Sequence, residues 1–358
     1  MRRLPLIESR SAIVEPPVAR PAGFAERGIP SLTDRRGRVY RYLRLSVTDR
    51  CDLACVYCMP PGGEEDHGLR RELLTFEEAA RLIAVFAAGG VERVRFTGGE
   101  PLVRKDVVEL VERVHRRAPH LRLAMTSNGT RLPELAAPLR AAGLGSVNVS
   151  LDALDPDCFA ALTRGGDVHR VLAGIEAALA VGMEVKLNAV PLEDGPGTAE
   201  RLGALVDWAW SRAITPRFIE LMPLGEGAAL ADRRLDAAAV RAMLGDRLSA
   251  GEPEAPGGPL GPARYVSGRG GRVGFITAIS DEFCASCNRV RVTARGDVRA
   301  CLADRRALSL RDVMRTGGSD ADLAWAMHRA LGGKSEGHAF LDPDVVEHEH
   351  VGMSLIGG

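Results

Sequence analysis

The chain has 358 residues, of which 46% are hydrophobic, so it is long enough for about two domains or for one barrel with an appendage. Its 47 basic residues balance 47 acidic ones, which argues against a chain-wide footprint for nucleic acid but leaves room for a local basic pocket. No apolar run approaches the ~20 residues of a membrane span, and the N-terminus lacks the apolar segment of a signal peptide. We therefore expect a cytoplasmic protein that binds neither nucleic acid nor membranes.

The first 250 residues divide into a lead-in and a regular array. Residues 1–37 are rich in Pro, Arg and Gly without a sustained period, which predicts a flexible lead-in. From residue 38 to residue 250, strand and helix patterns alternate, and Thr75 with Glu78 predicts a capping box at the first helix. The strand-like runs begin near Tyr40, Glu92, Leu121, Ser146, Met183 and Thr215.

Six βα units imply a parallel sheet with helical crossovers. Because six units are too few for a closed eightfold barrel, we expect an α/β fold with a partial (β/α)6 barrel of the TIM type; a doubly wound sheet is the alternative. In either architecture the functional site lies at the carboxyl ends of the strands. Those ends carry Thr48, Thr97, Thr126, Ser150, Asn188 and Met222.

The last third of the chain has a different texture. Residues 251–263 are rich in Pro and Gly and predict a linker. Residues 264–358 predict a smaller C-terminal region with short strands and a hairpin around Gly296. Two short helices are expected to begin near Ser309 and Ser319.

Six of the seven cysteines fall into two groups of three. The odd total and the tight clustering do not fit a disulfide framework in a long chain without a signal peptide, so metal or cluster ligands are favoured. The first group, Cys51, Cys55 and Cys58, lacks the fourth ligand of a structural zinc site, whereas three thiolates suit a four-iron, four-sulfur cluster with one open iron. Cys158 stands alone in a helical pattern and is expected to be an inert core residue.

The second group, Cys284, Cys287 and Cys301, has the spacing C-x2-C-x13-C. It is again one ligand short. One interpretation is a second cluster, and the other is a zinc knuckle completed by a distant histidine. The candidate histidines are His338, His348 and His350.

The first group resembles the signature of the radical S-adenosylmethionine superfamily, since C-x3-C-x2-C follows the first strand and Tyr57 precedes the last cysteine. The run from Thr97 to Pro101 (TGGEP) ends the next strand; alone it fits a turn before a helix, but here it strengthens the resemblance. In that superfamily the open iron binds the amino and carboxylate groups of S-adenosylmethionine, which is cleaved to a 5′-deoxyadenosyl radical. Paired glycines would let the backbone approach a ligand closely, and Glu100 would pair with its ammonium group.

The order of all these motifs, from about residue 38 to residue 358, resembles the GTP 3′,8-cyclases, which act in the first step of molybdenum cofactor biosynthesis. The resemblance implies two [4Fe-4S] clusters, S-adenosylmethionine as cofactor and GTP as substrate, with guanine on the open iron of the second cluster. The product would be (8S)-3′,8-cyclo-7,8-dihydro-GTP. Implied partners are an electron donor and the next enzyme, cyclic pyranopterin monophosphate synthase; a homodimer stays open.

The resemblance also implies roles for individual residues. Contacts with GTP are implied for Arg44, Arg95, Thr126, Lys186, Arg289 and Arg291. Contacts with S-adenosylmethionine are implied for Tyr57, Gly99, Glu100, Ser150 and Met222. A catalytic role is implied for Arg217, next to the radical site, and for the diglycine tail Gly357 and Gly358. Arg93 stands where the family often has lysine.

The physical chemistry of these residue types supports the same roles, because arginine makes planar, bidentate contacts with phosphate oxygens. Each residue also has a plainer interpretation. These are a solvated strand face for Arg44, Arg95 and Lys186, core packing for Met222, strand-end hydrogen bonds for Ser150 and Thr126, and a frayed end for the diglycine. Two other functions stay open: a radical enzyme that modifies a peptide, and a non-catalytic zinc or nucleic-acid-binding module.

Overall fold

The computed structural model describes residues 13–15, 19–63, 67–249, 261–304, 306–338, 340 and 353. Its strands are β1 (Ile13–Glu15), β2 (Tyr42–Ser46), β3 (Arg93–Thr97), β4 (Arg122–Ser127), β5 (Ser146–Ser150), β6 (Glu184–Ala189), β7 (Thr215–Ile219), β8 (Arg264–Gly268), β9 (Gly271–Ile276), β10 (Arg289–Val292), β11 (Asp297–Arg299) and β12 (Arg306–Ser309). Its α-helices are α1 (Phe76–Ala88), α2 (Val107–Arg117), α3 (Leu132–Ala141), α4 (Pro156–Thr163), α5 (Val168–Ala180), α6 (Thr198–Trp210), α7 (Ala237–Leu244), α8 (Leu310–Arg315) and α9 (Asp320–Gly332). Within these ranges, no helix is both long and apolar enough to cross a membrane.

The centre of the fold is a row of six parallel strands, β2 to β7, which are hydrogen-bonded to one another in chain order. One or two α-helices connect each strand to the next. These are the six strands that the sequence predicts. A doubly wound sheet would reverse its strand order at one point, and these six do not. The arrangement therefore confirms the partial barrel.

Strand β2 shows how the sequence pattern separates the core from the interior of the barrel. Side chains alternate between the two faces of a strand. Leu43 and Leu45 are fully buried in the main hydrophobic cluster, which also contains Phe86 of α1. Tyr42 and Arg44 point the other way and line a cavity. The polar members of the strands therefore face inward, where helices do not cover them.

The predicted capping box at the start of α1 is confirmed. The Thr75 hydroxyl accepts a hydrogen bond from the backbone N–H of Glu78, and the Glu78 carboxylate accepts one from the N–H of Thr75. This pairing satisfies two of the unpaired donors at the helix N-terminus. Glu78 also forms an ion pair with Arg315 of α8 at 2.7 Å, which links the barrel to the C-terminal helices.

The C-terminal region extends the barrel sheet at both edges. Strand β10 pairs in parallel with β2, and β9 pairs in parallel with β7. The predicted hairpin is confirmed, since β10 and β11 are antiparallel around Gly296, which has a φ of +88°. Ser309 and Ser319 cap α8 and α9, so the two predicted helices are also confirmed. This region shares one continuous sheet with the barrel.

Part of the expected lead-in packs on the rest of the protein. Strand β1 pairs in parallel with β12, and the Phe24 ring contacts that of Trp325 edge to face at 5.2 Å. Leu32 is fully buried in the main core, and the Asp34–Arg38 ion pair is buried as well. Leu32 and Asp34 are therefore fixed to the rest of the protein, whereas most of residues 19–31 are exposed. The boundaries of the lead-in, barrel, linker and C-terminal region stay predictions.

Candidate active site

A cavity of about 510 Å³ lies on the inner face of the six parallel strands. Eighteen of the twenty predicted site residues line it. They are Arg44, Cys51, Cys55, Tyr57, Cys58, Arg95, Gly99, Glu100, Thr126, Ser150, Lys186, Arg217, Met222, Cys284, Cys287, Arg289, Arg291 and Cys301. Gly357 and Gly358 lie outside the described residues. The fold thus brings both cysteine groups to one chamber, although more than 200 residues separate them in the chain.

The first cysteine group, Cys51, Cys55 and Cys58, occupies the loop that follows β2. The backbone N–H of Cys58 donates to the carbonyl of Cys55 at 2.9 Å, which makes this part of the loop a tight turn. The Cys51 Sγ accepts from the N–H of Leu53 at 3.4 Å. Burial, followed by the nearby Glu100 and Asp52 charges, raises the pKa of the Cys51 thiol to about 12. Burial also raises the pKa of Cys55. The thiols of Cys51 and Cys55 are therefore neutral until a cation replaces their protons.

The glycines of TGGEP serve the protein backbone. A Cβ on Gly98 would lie 2.3 Å from the carbonyl oxygen of Thr48, and one on Gly99 would lie 2.4 Å from that of Arg50. The N–H of Gly99 donates to Thr48 O at 3.0 Å, and that of Glu100 donates to Arg50 O at 2.7 Å. The pair is needed because two backbone segments meet here, just before Cys51. Close approach to a ligand is therefore not the main reason for glycine at these two positions.

Glu100 is a fully buried carboxylate at the end of β3. It accepts hydrogen bonds from the N–H groups of Leu102 (3.0 Å) and Asn128 (2.6 Å) and from the Ser127 hydroxyl (2.9 Å). Burial outweighs these bonds and raises the pKa of Glu100 to about 7. A bound cation would stabilise the ionised form. Glu100 also caps the short helical turn at Pro101–Val103. The run TGGEP therefore forms a turn before a helix and also places a carboxylate in the cavity wall.

Tyr57 is fixed to a second buried carboxylate. Its hydroxyl donates to Asp152 at 2.7 Å, and the N–H of Val190 donates to the other oxygen of Asp152 at 2.8 Å. Burial raises the pKa of Asp152, and burial followed by the Asp152 charge raises that of Tyr57 well above its usual range. The phenol therefore acts as a donor, and the loop with the first cysteines is attached to the end of β5.

The second cysteine group lies beside cationic side chains. The N–H of Cys287 donates to the carbonyl of Cys284 at 3.2 Å, and Cys301 follows β11. The Cys287 Sγ accepts from Lys334 Nζ at 3.2 Å and from the Arg289 guanidinium at 3.7 Å. Burial alone would raise the pKa of Cys287, but the charges of Arg289 and Lys334 outweigh it and lower the pKa to about 6. This thiol is held ready as a thiolate.

The predicted zinc alternative is partly supported by geometry, because one candidate histidine lies near this group. Glu282, Cys284 and His338 place ligand atoms within 4.8 Å of one another. The Nε2 of His338 contacts the carbonyl of Ala278. His348 and His350 lie outside the described residues. The metal content of the purified protein is therefore a direct test of this group.

A wall of arginines connects the two cysteine groups. The strand register places Arg291 of β10 opposite Arg44 of β2, and Arg44 opposite Arg95 of β3. All three line the cavity. Burial, followed by neighbouring arginines, lowers the pKa of Arg291, and burial with the Arg95, Arg289 and Arg217 charges lowers that of Arg44 to about 10. Like charges on facing strand positions are destabilising, so this wall fits a polyanionic ligand.

Individual contacts rule out the solvated strand face for Arg95. Its side chain is buried and donates to the carbonyl of Met125 at 2.7 Å, to the Thr126 hydroxyl at 3.4 Å and to the Tyr42 hydroxyl. Burial alone would raise the pKa of Tyr42, but Arg95 and Arg44 outweigh it and lower the pKa to about 8. Thr126 thus accepts a hydrogen bond from the neighbouring strand and also lines the cavity.

Arg217 of β7 is buried with donors to spare. Its Nε and one terminal nitrogen, Nη2, have no hydrogen-bond partner among the described residues. Burial, followed by the charge of Arg95, lowers its pKa. Buried polar groups are normally paired, and an unpaired one indicates an absent ligand or a functional role. The side chain is therefore suited to an anion or a carbonyl oxygen.

Two further predicted residues have mixed surroundings. Met222 lines the cavity and also packs against the small cluster of Ala278, Ile279 and Phe340. Lys186 is partly exposed and forms an ion pair with Glu184. Cys158 lies outside the site. It is half-buried and packs against the main core, so it lies at the edge of the core in which it was expected.

Sequence reasoning missed three residues of the cavity wall. Lys334 was not assigned, although lysine occurs at only three positions in the chain. Asp152 lies two residues beyond the end of β5, where a carboxylate is a usual functional signal. Tyr42 is two residues before Arg44 and faces the same way by the period of a strand. The last two could have been found from strand alternation alone.

Two known families match most of the chain. The Radical SAM superfamily matches residues 45–194, and the Molybdenum Cofactor Synthesis C family matches residues 214–340. The crystal structure of Streptococcus suis SuiB bound to S-adenosylmethionine covers 82% of this chain and 67% of its own, with a TM-score of 0.63 and 16% identity. That likeness concerns the fold. Fold and site together define a radical S-adenosylmethionine enzyme.

Curated relatives give the particular family. A Caulobacter vibrioides protein named GTP 3′,8-cyclase is 46% identical over 344 residues, covering 92% of this chain and 94% of its own. A Rhodopseudomonas palustris protein of the same name is 43% identical, covering 91% of this chain and 96% of its own. The chain belongs to the GTP 3′,8-cyclase family. The peptide-modifying enzyme and the non-catalytic module are therefore set aside.

Proposed function

We propose that this protein converts GTP to (8S)-3′,8-cyclo-7,8-dihydro-GTP, using S-adenosylmethionine, in the first step of molybdenum cofactor biosynthesis. The observation that carries the proposal is the single cavity in which two cysteine triplets flank a wall of buried arginines. A triphosphate carries about four negative charges, and arginine binds phosphate oxygens in a planar, bidentate manner. Arginine side chains at facing positions of neighbouring strands suit such a ligand.

The first triplet fits an iron–sulfur cluster with one open iron. Three thiols without a fourth protein ligand in their loop are the donor set for such a cluster. When bound there, a [4Fe-4S] cluster supplies the electron that cleaves S-adenosylmethionine to a 5′-deoxyadenosyl radical. Glu100 offers its buried carboxylate to the ammonium group of the cofactor. Tyr57, Gly99, Ser150 and Met222 would contact the rest of it.

The second triplet is proposed to hold another [4Fe-4S] cluster, next to GTP. Cys284, Cys287 and Cys301 would bind it, and guanine would occupy its open position. Arg289 and Arg291 lie on the strand that follows Cys287, and both line the cavity. Arg44, Arg95, Thr126 and Lys186 would contact the nucleotide from the barrel. With S-adenosylmethionine held at the first cluster and GTP at the second, the ribose would lie next to the adenosyl carbon. This chemistry needs that positioning.

The remaining roles rest on the family alone. Arg217 is proposed to act beside the reacting ribose, which agrees with its unpaired donors. Gly357 and Gly358 are proposed to reach the same cavity. Three partners stay predictions: an electron donor, cyclic pyranopterin monophosphate synthase as consumer of the product, and a second copy of the chain.

The test is a turnover assay with anaerobically reconstituted protein, reductant and S-adenosylmethionine. We expect 5′-deoxyadenosine and cyclised nucleotide with GTP, and much less of both with ATP. Absence of 5′-deoxyadenosine with every nucleotide would overturn the enzyme assignment. Zinc in place of iron and sulfide in the freshly purified protein would instead favour the histidine-completed site at the second triplet.

A further inference from the structure

Lys334 is an unusual residue for this chain. Lysine occurs only at positions 105, 186 and 334, and every other basic residue is arginine. Lys334 follows α9 and is 9% exposed. Its Nζ donates to the Cys287 Sγ at 3.2 Å and to the carbonyl of Arg289 at 3.5 Å. A compact ammonium can approach a sulfur atom more closely than the planar guanidinium fork does.

An aromatic ring supports the ammonium from the other side. The Nζ of Lys334 lies 4.9 Å from the centre of the Tyr40 ring, which is fully buried. A desolvated cation over a ring face is stabilised by the quadrupole of the ring. The Tyr40 hydroxyl donates to Asp34 at 2.8 Å, which fixes the ring. The position of the lysine is therefore determined by the segment before β2.

The same segment holds the backbone on both sides of the contact. Arg38 forms a buried ion pair with Asp34 and donates to the carbonyls of Cys284 (3.0 Å), Lys334 (3.4 Å) and Ser335 (2.9 Å). One guanidinium thus ties the loop of the second triplet to the segment that carries the lysine.

We propose that Lys334 is a positioning residue of the second cluster, whose charge neutralises the Cys287 thiolate. The inference rests on the proposed second cluster and assigns a residue toward it. Three thiolates in a buried chamber carry charge that burial disfavours, and a hydrogen-bonded cation offsets it. Cluster potentials depend on net charge and on hydrogen bonds to the sulfurs, so the lysine raises the potential of this cluster.

The experiment uses the full chain with Cys51, Cys55 and Cys58 replaced by alanine, so that any cluster belongs to the second triplet. In this parent, Lys334→Met removes the charge and Lys334→Arg keeps it. Lys105→Met, at an exposed position, is the matched control. Iron and sulfide per chain are measured after anaerobic reconstitution. The midpoint potential follows from a redox titration monitored by electron paramagnetic resonance.

We expect Lys334→Met to shift the midpoint to a more negative potential, Lys334→Arg to stay near the parent, and Lys105→Met to leave it unchanged. Equal potentials for Lys334→Met and the parent, at equal iron content, would overturn the inference. If Lys334→Met holds no cluster, retention by Lys334→Arg supports the charge role and loss in both contradicts it. A parent without iron would overturn the proposed second cluster itself, and the inference with it.

Discussion

Cys51 of the first triplet and Cys287 of the second face the same cavity from opposite electrostatic surroundings. Near the first triplet, the charges of Glu100 and Asp52 add to burial and raise the pKa of Cys51 to about 12. Near the second, Arg289 and Lys334 overcome burial and lower the pKa of Cys287 to about 6. The contrast is limited to these two thiols, because burial, followed by the charges of Cys301 and Glu282, raises the pKa of Cys284 to about 11.

This difference separates two tasks that a single cavity has to perform. Negative surroundings favour a cationic ligand and make an added electron on a cluster less stable, which suits the reductive cleavage of S-adenosylmethionine, a cofactor with ammonium and sulfonium groups. Positive surroundings favour the phosphates of GTP. This contrast agrees with the proposed placement of S-adenosylmethionine at the first triplet and GTP at the second.

The largest expected effect comes from removing one cysteine of either triplet. Cys58→Ser should abolish 5′-deoxyadenosine formation, since the proposed reducing cluster is lost. Cys284→Ser should retain the first cluster and some 5′-deoxyadenosine but yield no cyclised GTP, because the nucleotide loses its second anchor. Both products are quantified by liquid chromatography, with Cys158→Ser as the control. Normal GTP turnover by Cys284→Ser would refute the two-point anchoring.

The next largest effect concerns the buried ion pair between Asp34 and Arg38, which contacts the loop of the second triplet. Asp34→Asn leaves Arg38 as an uncompensated buried charge, so we expect a loss of about 3–5 kcal/mol in the free energy of unfolding. Denaturant unfolding measures it, with the exposed Asp157→Asn as control. A loss as small as that of the control would show that residues 19–37 are not needed to hold the loop of Cys284.

The same pair gives a pH dependence. Burial alone would raise the pKa of Asp34, but hydrogen bonds from Arg38 and Tyr40 outweigh it and hold the pKa below the ordinary value of 3.8. A lowered pKa means that the stabilisation is fully present above the ordinary value and is lost as the pH falls through the folded-state pKa. Wild-type stability should therefore drop below pH about 4 more steeply than that of Asp34→Asn, as measured by unfolding at several pH values.

Arg217→Leu tests whether the guanidinium of Arg217 binds the substrate. Two of its buried donors have no partner among the described residues, so the free protein should lose little stability. GTP binding or turnover should fall ~10-fold to ~100-fold, which corresponds to about 1.5–3 kcal/mol for a charged hydrogen bond. Calorimetric titration with GTP measures affinity, and the surface variant Arg116→Leu is the control. Unchanged affinity and turnover would remove Arg217 from the site.

The smallest effect on stability is expected near the first triplet. Tyr57→Phe removes one hydrogen bond from buried Asp152, which keeps its bond from Val190, so we expect a loss of about 1–2 kcal/mol in unfolding free energy. The double variant with Asp152→Asn should lose less than the sum of the two single variants. Strict additivity in this cycle would show that the two side chains do not interact.

Much of the fold follows from sequence because the signals are local. The six strands, the Thr75 capping box and the caps at Ser309 and Ser319 depend on side-chain period and on residues three positions apart. The segment before β2 shows the opposite case. Its Pro, Arg and Gly content resembles that of a mobile segment, whereas the burial of Leu32 and Asp34 depends on partners distant in the chain.

By itself, the sequence determined the ligand types: two sets of three thiols, inward-facing arginines and one acidic strand end, whose chemistry is contained in the residues and their spacing. Only the tertiary structure decided which of them share a chamber. Pairing of β10 with β2 puts Arg291 beside Arg44, and folding of the C-terminal segment brings Lys334 to Cys287. Register and burial are properties of contacts between distant segments, so no local pattern could specify the charge contrast between the two triplets.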